Sequence, residues 1–164
     1  MHALDLDGTI LNYGGHATEE TRYNLALLPM LPPPAPVAIV TNQGGIAFSR
    51  YHPDRYPTPL RVAARLNDAC NFLRHHGYQV AAIYASCYHP KAKEADIQAV
   101  AQQLRELIAL IVPAWRVYTT ARSRKPSPLM LRAAGATAYY GDSAEDAEAA
   151  AAAGIPFVAV PRFQ

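Results

Sequence analysis

A chain of 164 residues carrying a formal net charge of +2 is long enough to bury a core without disulfide or metal staples. Its 15 Lys and Arg against 13 Asp and Glu form no basic run of the kind that tracks a phosphate backbone, so nucleic acid is not an expected partner. The two cysteines lie far apart and make no disulfide framework. No apolar run approaches the roughly 20 residues of a membrane span, and the expectation is a cytoplasmic protein with a single domain over residues 1–164.

The first apolar run, from His2, ends in Asp5-Leu6-Asp7-Gly8-Thr9. Side chains alternate along a strand, so the two carboxylates share one side and can hold a hard cation, and the glycine after them permits a tight turn. Ile10 to His16, with Gly14 and Gly15, reads as a flap over that site. Thr18 is placed as the N-cap of a helix running to Leu28 and stopped by Pro29. The prolines of residues 32–36 form a stiff connector.

Val37 to Val40 reads as the second strand, delivering Thr41 and Asn42 to the sheet's end. Gly44 to Pro57 is a polar and aromatic loop beside the site, either a substrate-recognition element or an ordinary surface loop. Gln43 and Arg50 are its candidates for substrate contact, with Arg124 as a third from further along the chain. Thr58-Pro59 starts a helix that Gly77 ends, with Val62, Leu66, Cys70 and Leu73 at core-facing spacing. Val80 to Tyr84 is the third strand.

Glu94 to Val112 carries a helical apolar stripe closed by Pro113, and Trp115 to Thr119 suits a short strand. This stretch, about residues 91 to 121, reads as an insertion. Packing on the sheet edge, a dimer surface and a lid over the site all stay open for it. Ser127-Pro128 begins a helix that places Lys125 just before its N-terminus, a favourable place for an anion. Ala138 to Tyr140, a helix over Ala144 to Ala153, and Phe157 to Val160 complete a strand-helix alternation. Such alternation implies a parallel sheet flanked by helices.

Asp5-Leu6-Asp7-Gly8-Thr9, then Thr41-Asn42-Gln43, a lysine before proline at Lys125, and Gly141-Asp142-Ser143-Ala144-Glu145-Asp146 follow one another in order, each after a β-like run. This set resembles the haloacid dehalogenase superfamily of phosphatases and phosphotransferases. Thr41 to Ala47 and Ile83 to Pro90 are similar to its histidinol-phosphate and heptose-bisphosphate phosphatase branch, from which Leu6 departs, since arginine is frequent there. The resemblance implies a Rossmann-like three-layer α/β/α fold without a cap domain, with five strands ordered 5-4-1-2-3.

The same resemblance implies roles. Asp5 would be the nucleophile that forms an aspartyl-phosphate and a metal ligand, and Asp7 the acid and base, with its carbonyl on the metal. Thr41 and Asn42 would hold phosphoryl oxygens. Lys125 would pair with Asp5 and phosphate, and Asp142 would complete a Mg²⁺ site. Asp146 would bind that metal through water or orient Lys125. Asp146 also lies three residues after Ser143, the spacing of a helix capping box. In the branch, a Cys-x-His pair matching Cys87 and His89 joins a later Cys-x-Cys to bind zinc. No cysteine follows Cys87 here, and two ligands cannot close a tetrahedral site, so zinc is not expected.

The expected activity is a Mg²⁺-dependent phosphomonoesterase acting on a small phosphorylated metabolite, of the sugar phosphate or histidinol phosphate type. An alternative is a polynucleotide 3′-end phosphatase, since a capless site admits large substrates. A catalytically idle binding module is the alternative of another class. The oligomeric state is not fixed by these residues.

Overall fold

The computed structural model describes residues 1–12, 20–33 and 35–163. Six parallel strands, β1 (His2–Leu4), β2 (Pro36–Asn42), β3 (Gln79–Ser86), β4 (Trp115–Tyr118), β5 (Ala138–Gly141) and β6 (Phe157–Ala159), are ordered β4-β3-β2-β1-β5-β6. The five expected strands keep their predicted order, and the short run from Trp115 is added as a sixth on the outer edge of β3. Among the described residues, four α-helices accompany the sheet: α1 (Pro59–His75), α2 (Glu94–Ile108), α3 (Leu129–Ala133) and α4 (Ala144–Ala153). The result is the Rossmann-like three-layer architecture. None of the helices among the described residues is long and apolar enough to cross a membrane.

Alternation along the strands divides the core in two. Leu4, Ile39 and Ile83 face one way, against Leu66 and Leu73 of α1 and Val100 and Leu104 of α2. Ala3, Ala38, Val40 and Ala82 face the other way, with Tyr139, against Met130 and Leu131 of α3 and Ala149 and Ala150 of α4. The first face is filled by large aliphatic side chains, each contributing about 1.5–3 kcal/mol on burial. The second is built largely from alanine, which lets its short helices lie close to the sheet.

Local chemistry fixes the element ends. The Thr58 hydroxyl accepts from the Arg61 N–H at 3.1 Å and starts α1, with Pro59 in its first turn as expected. Ser143 and Asp146 form a complete capping box on α4, and Gly154 ends it in the left-handed region at φ 73°.

Three sequence expectations are settled or corrected. For residues 91–121 the sheet-edge alternative holds: β4 pairs with the outer edge of β3, and α2 packs against α1 and the 3₁₀-helix at Gly44–Arg50, so this stretch is a further crossover of the sheet. Of the expected flap, residues 13–16 lie outside the described residues, whereas Ile10, Leu11 and Asn12 are buried.

The third concerns the helix placed over 18–28. Its first two residues lie outside the described ones, and residues 20–24 are not helical. Arg22 exchanges hydrogen bonds with Asn12, and the Asn24 N–H donates to the Ile10 carbonyl at 2.9 Å. These pairings take backbone groups that a helix would use. Only Leu25–Met30 turns, as 3₁₀-helix capped by Asn24, with Pro29 inside it rather than ending it.

Candidate functional site

The carboxyl ends of β1, β2 and β5 are adjacent, and there the chain's path reverses from building outward toward β4 to building outward toward β6. Open α/β sheets place their ligand crevice at such a reversal. A cavity of about 330 Å³ lies there, lined by Asp5, Asp7, Thr41, Asn42, Lys125, residues 142–146 and Arg162. The motif residues, scattered over 142 positions of sequence, thus converge. Gly8, at φ 82°, makes the turn out of the Asp5–Asp7 segment in a conformation most side chains would resist.

Lys125 is the centre of the buried half. Its side chain is 4% exposed, and its ammonium donates to Asp146 Oδ1 at 2.6 Å, Tyr139 Oη at 2.7 Å and Asp5 Oδ1 at 3.0 Å. Tyr139 in turn donates to the Val40 carbonyl at 2.8 Å. The Thr9 hydroxyl donates to Asp5 Oδ2 at 3.4 Å. Asp146 Oδ2 accepts from the backbone N–H groups of Asp142 and Ser143, so Asp146 serves as cap and as lysine partner at once.

Lys125 does precede the short helix α3, which has five residues with Pro128 as its cap, and its ammonium turns into the carboxylate cluster.

Asn42 ties β2 to this loop. Its side chain accepts from the Lys125 backbone N–H at 3.0 Å and donates to the Lys125 carbonyl at 3.2 Å. On the other side of the site, Gln43 Nε2 donates to Asp7 Oδ2 and Thr41 Oγ1, each at 3.0 Å. Asp7 Oδ1 accepts from Arg65 Nη2 at 2.8 Å.

Two of the three substrate-loop candidates are engaged elsewhere. Arg50 pairs with Asp96 of α2 at 2.7 Å, and Arg124 donates to the Tyr88 carbonyl at 2.8 Å. Neither lines the cavity.

Three contributors escape a motif-based reading. Arg65 lies three residues after Val62, on the apolar side of α1, and a charge on such a stripe signals a buried partner. Tyr139 reads as strand core. Arg162 belongs to the tail after β6, which the Phe163 N–H ties to the Gly8 carbonyl at 2.9 Å; its Nε donates to Asp142 Oδ2 at 2.8 Å.

The charges are unevenly shared. Burial pushes the Asp5 carboxyl well above the ordinary carboxylate range; Lys125 opposes this, and the carboxylates of Asp146 and Asp7 reinforce it. Burial also works against the Lys125 ammonium, but Asp5, Tyr139 and Asp146 outweigh it and hold the lysine charged. For Asp146, burial is outweighed by Lys125 and by hydrogen bonds to Lys125, Ser143 and Tyr139, so its carboxyl is held down. The Lys125 ammonium lies nearer Asp146, at 2.6 Å, than Asp5, at 3.0 Å, and the burial of Asp5 leaves it short of positive charge.

A cation would supply it. Asp5, Asp142 and Asp146 each offer one oxygen, all within 4.8 Å of one another, and this all-oxygen set could hold a metal ion. Cys87 is buried with its thiol pushed up to about 12, a poor state for metal ligation, and His89 Nδ1 accepts from the Lys91 N–H. No protein-family model matches the chain, and neither does any curated protein or solved structure.

Proposed function

We propose that the chain is a phosphomonoesterase of the haloacid dehalogenase type, dependent on Mg²⁺ and acting on a small phosphorylated metabolite. The observation that carries this reading is the Asp5 carboxylate at the floor of the cavity, paired with buried Lys125 and grouped with Asp142 and Asp146. A carboxylate nucleophile repels a phosphate dianion unless counter-charge surrounds both. Three carboxylate oxygens in one cluster are the donor set a hard divalent ion prefers, whereas one ammonium cannot neutralise them. When bound by Asp5, Asp142 and Asp146, Mg²⁺ supplies that counter-charge and draws electron density from the phosphoryl oxygens.

The chain's own residues then divide the work. A carboxylate oxygen of Asp5 forms a bond to phosphorus as the bond from phosphorus to the leaving oxygen breaks, giving an aspartyl-phosphate. Lys125 and Thr41 neutralise and orient the phosphoryl oxygens, and Asn42 holds the Lys125 backbone in place. Asp7 gives its proton to the departing alkoxide. It then takes a proton from the water that attacks phosphorus, which breaks the Asp5 acyl-phosphate bond and frees inorganic phosphate.

The test is hydrolysis of a generic aryl phosphate with added Mg²⁺, comparing the intact chain with Asp5→Asn. Turnover that needs the ion and vanishes in the variant supports the reading. A folded protein idle on a broad phosphate panel refutes it. Within that panel, activity confined to 3′-phosphorylated oligonucleotides would replace the small metabolite by a polynucleotide end.

A further inference from the structure

Asp7 is gripped from two sides by residues outside the acid and lysine positions that define the chemistry. From α1, Arg65, 3% exposed, sends Nη2 to Asp7 Oδ1 at 2.8 Å and to the Asn12 carbonyl at 2.7 Å. From the end of β2, Gln43 reaches Asp7 Oδ2 while also holding Thr41. Each carboxylate oxygen therefore has one protein donor, and the carboxylate plane is fixed relative to the Thr41 hydroxyl. The Asp7 side chain remains 26% exposed, open to the cavity.

Packing does not account for this arrangement. A buried guanidinium is costly to keep, and Arg65 Nη1 is buried with no hydrogen-bond partner among the described residues. An aliphatic residue at that point of the α1 stripe would bury more readily. What the arginine supplies is a rigid donor aimed at one oxygen of Asp7.

We infer that Arg65 and Gln43 are positioning residues that clamp Asp7 for proton transfer to the leaving oxygen and from the attacking water. The inference rests on the phosphomonoesterase reading. Proton transfer needs the Asp7 oxygen within hydrogen-bond reach of the leaving oxygen, and a carboxylate free to rotate spends little time there.

The test compares kcat and KM for an aryl phosphate, whose leaving group departs with little protonation, and a simple alkyl phosphate, whose leaving group requires it. In Arg65→Met, kcat falls about 100-fold on the alkyl phosphate and less than about tenfold on the aryl phosphate, with KM nearly constant. Arg65→Lys restores part of the alkyl activity. In an Asp7→Asn background, Arg65→Met brings no further loss.

Equal losses on both substrates, or an effect confined to KM, would overturn the clamp. If Arg65→Met does not fold, Gln43→Ala carries the same comparison, because it removes no buried charge. Activity in the parent protein with uniform losses in the variants sinks this inference alone. A parent inactive on both phosphates sinks the phosphomonoesterase reading and this inference together.

Discussion

Asp5 and Asp7 are one residue apart and live in opposite settings. Asp5 faces the alanine-built side of the sheet, where Lys125, Tyr139 and Asp146 are all buried and share one ammonium. Asp7 lines the same cavity and is partly open to it, with a cation of its own in Arg65 of α1. The first setting leaves a carboxylate short of counter-charge; the second fully pairs one. An i, i+2 repeat just past a strand end thus yields two different acids because each is finished by a different partner, the loop residue Lys125 for Asp5 and Arg65 of α1 for Asp7.

The strongest way to break this contrast is to remove the shared ammonium. Lys125→Met would leave Asp5 and Asp146 buried and facing one another, and a lost partner in a buried ion pair costs about 3–5 kcal/mol. Chemical denaturation should read a loss of that size, whereas a smaller loss would mean that the two carboxylates share a proton easily. Tyr139→Phe is milder. It strips the Val40 carbonyl of its hydroxyl donor and should cost about 1–3 kcal/mol, with the Arg65 side untouched.

The contrast also has a pH signature. The Asp5 carboxyl is raised in the fold, so its contribution to stability is complete below the ordinary value of 3.8 and is lost as pH rises through its folded value. Asp5→Asn copies the protonated state. In metal-free protein its melting temperature should exceed that of the parent at neutral pH, and the gap should close as pH falls through the ordinary carboxylate range. A gap that widens on acidification would reverse the assignment. Asp146, held down, behaves oppositely and loses its contribution as pH falls through its folded value.

The smallest effect belongs to the tail. Arg162 is 43% exposed and pairs with Asp142, so, with Mg²⁺ as the proposed ion, Arg162→Ala should tighten its binding by no more than about fivefold, as suits an exposed pair. Titration calorimetry would read it, and unchanged affinity would mean that Arg162 gives up Asp142 without cost.

The ends of the strands were legible because they carry their chemistry in consecutive residues. Asp5, Thr41 and Asp142 each follow an apolar run, and the structure sets all three around one cavity. The limits of α1 were equally open to reading, whereas the order of the five expected strands came from the family resemblance and from no pattern in the residues themselves. Arg65 was not: its partner lies 58 positions away, and only its place on an apolar stripe marks it. The helix placed over 18–28 failed because helix propensity competes with a backbone pairing to residues 10–12 that no local pattern displays.

Gly141 ends β5 with Asp146 pressed against it, and a Cβ added there would sit 2.6 Å from Asp146 Oδ2 and 2.7 Å from its Cβ and Cγ. The acid and the glycine therefore form a lock with two parts. A methyl group at 141 would drive the carboxylate off Lys125, and a smaller side chain at 146 would open the space but discard the carboxylate. Neither position can drift alone, and any lineage that altered the one would have to rebuild the other in the same step or lose the lysine's anchor on the way.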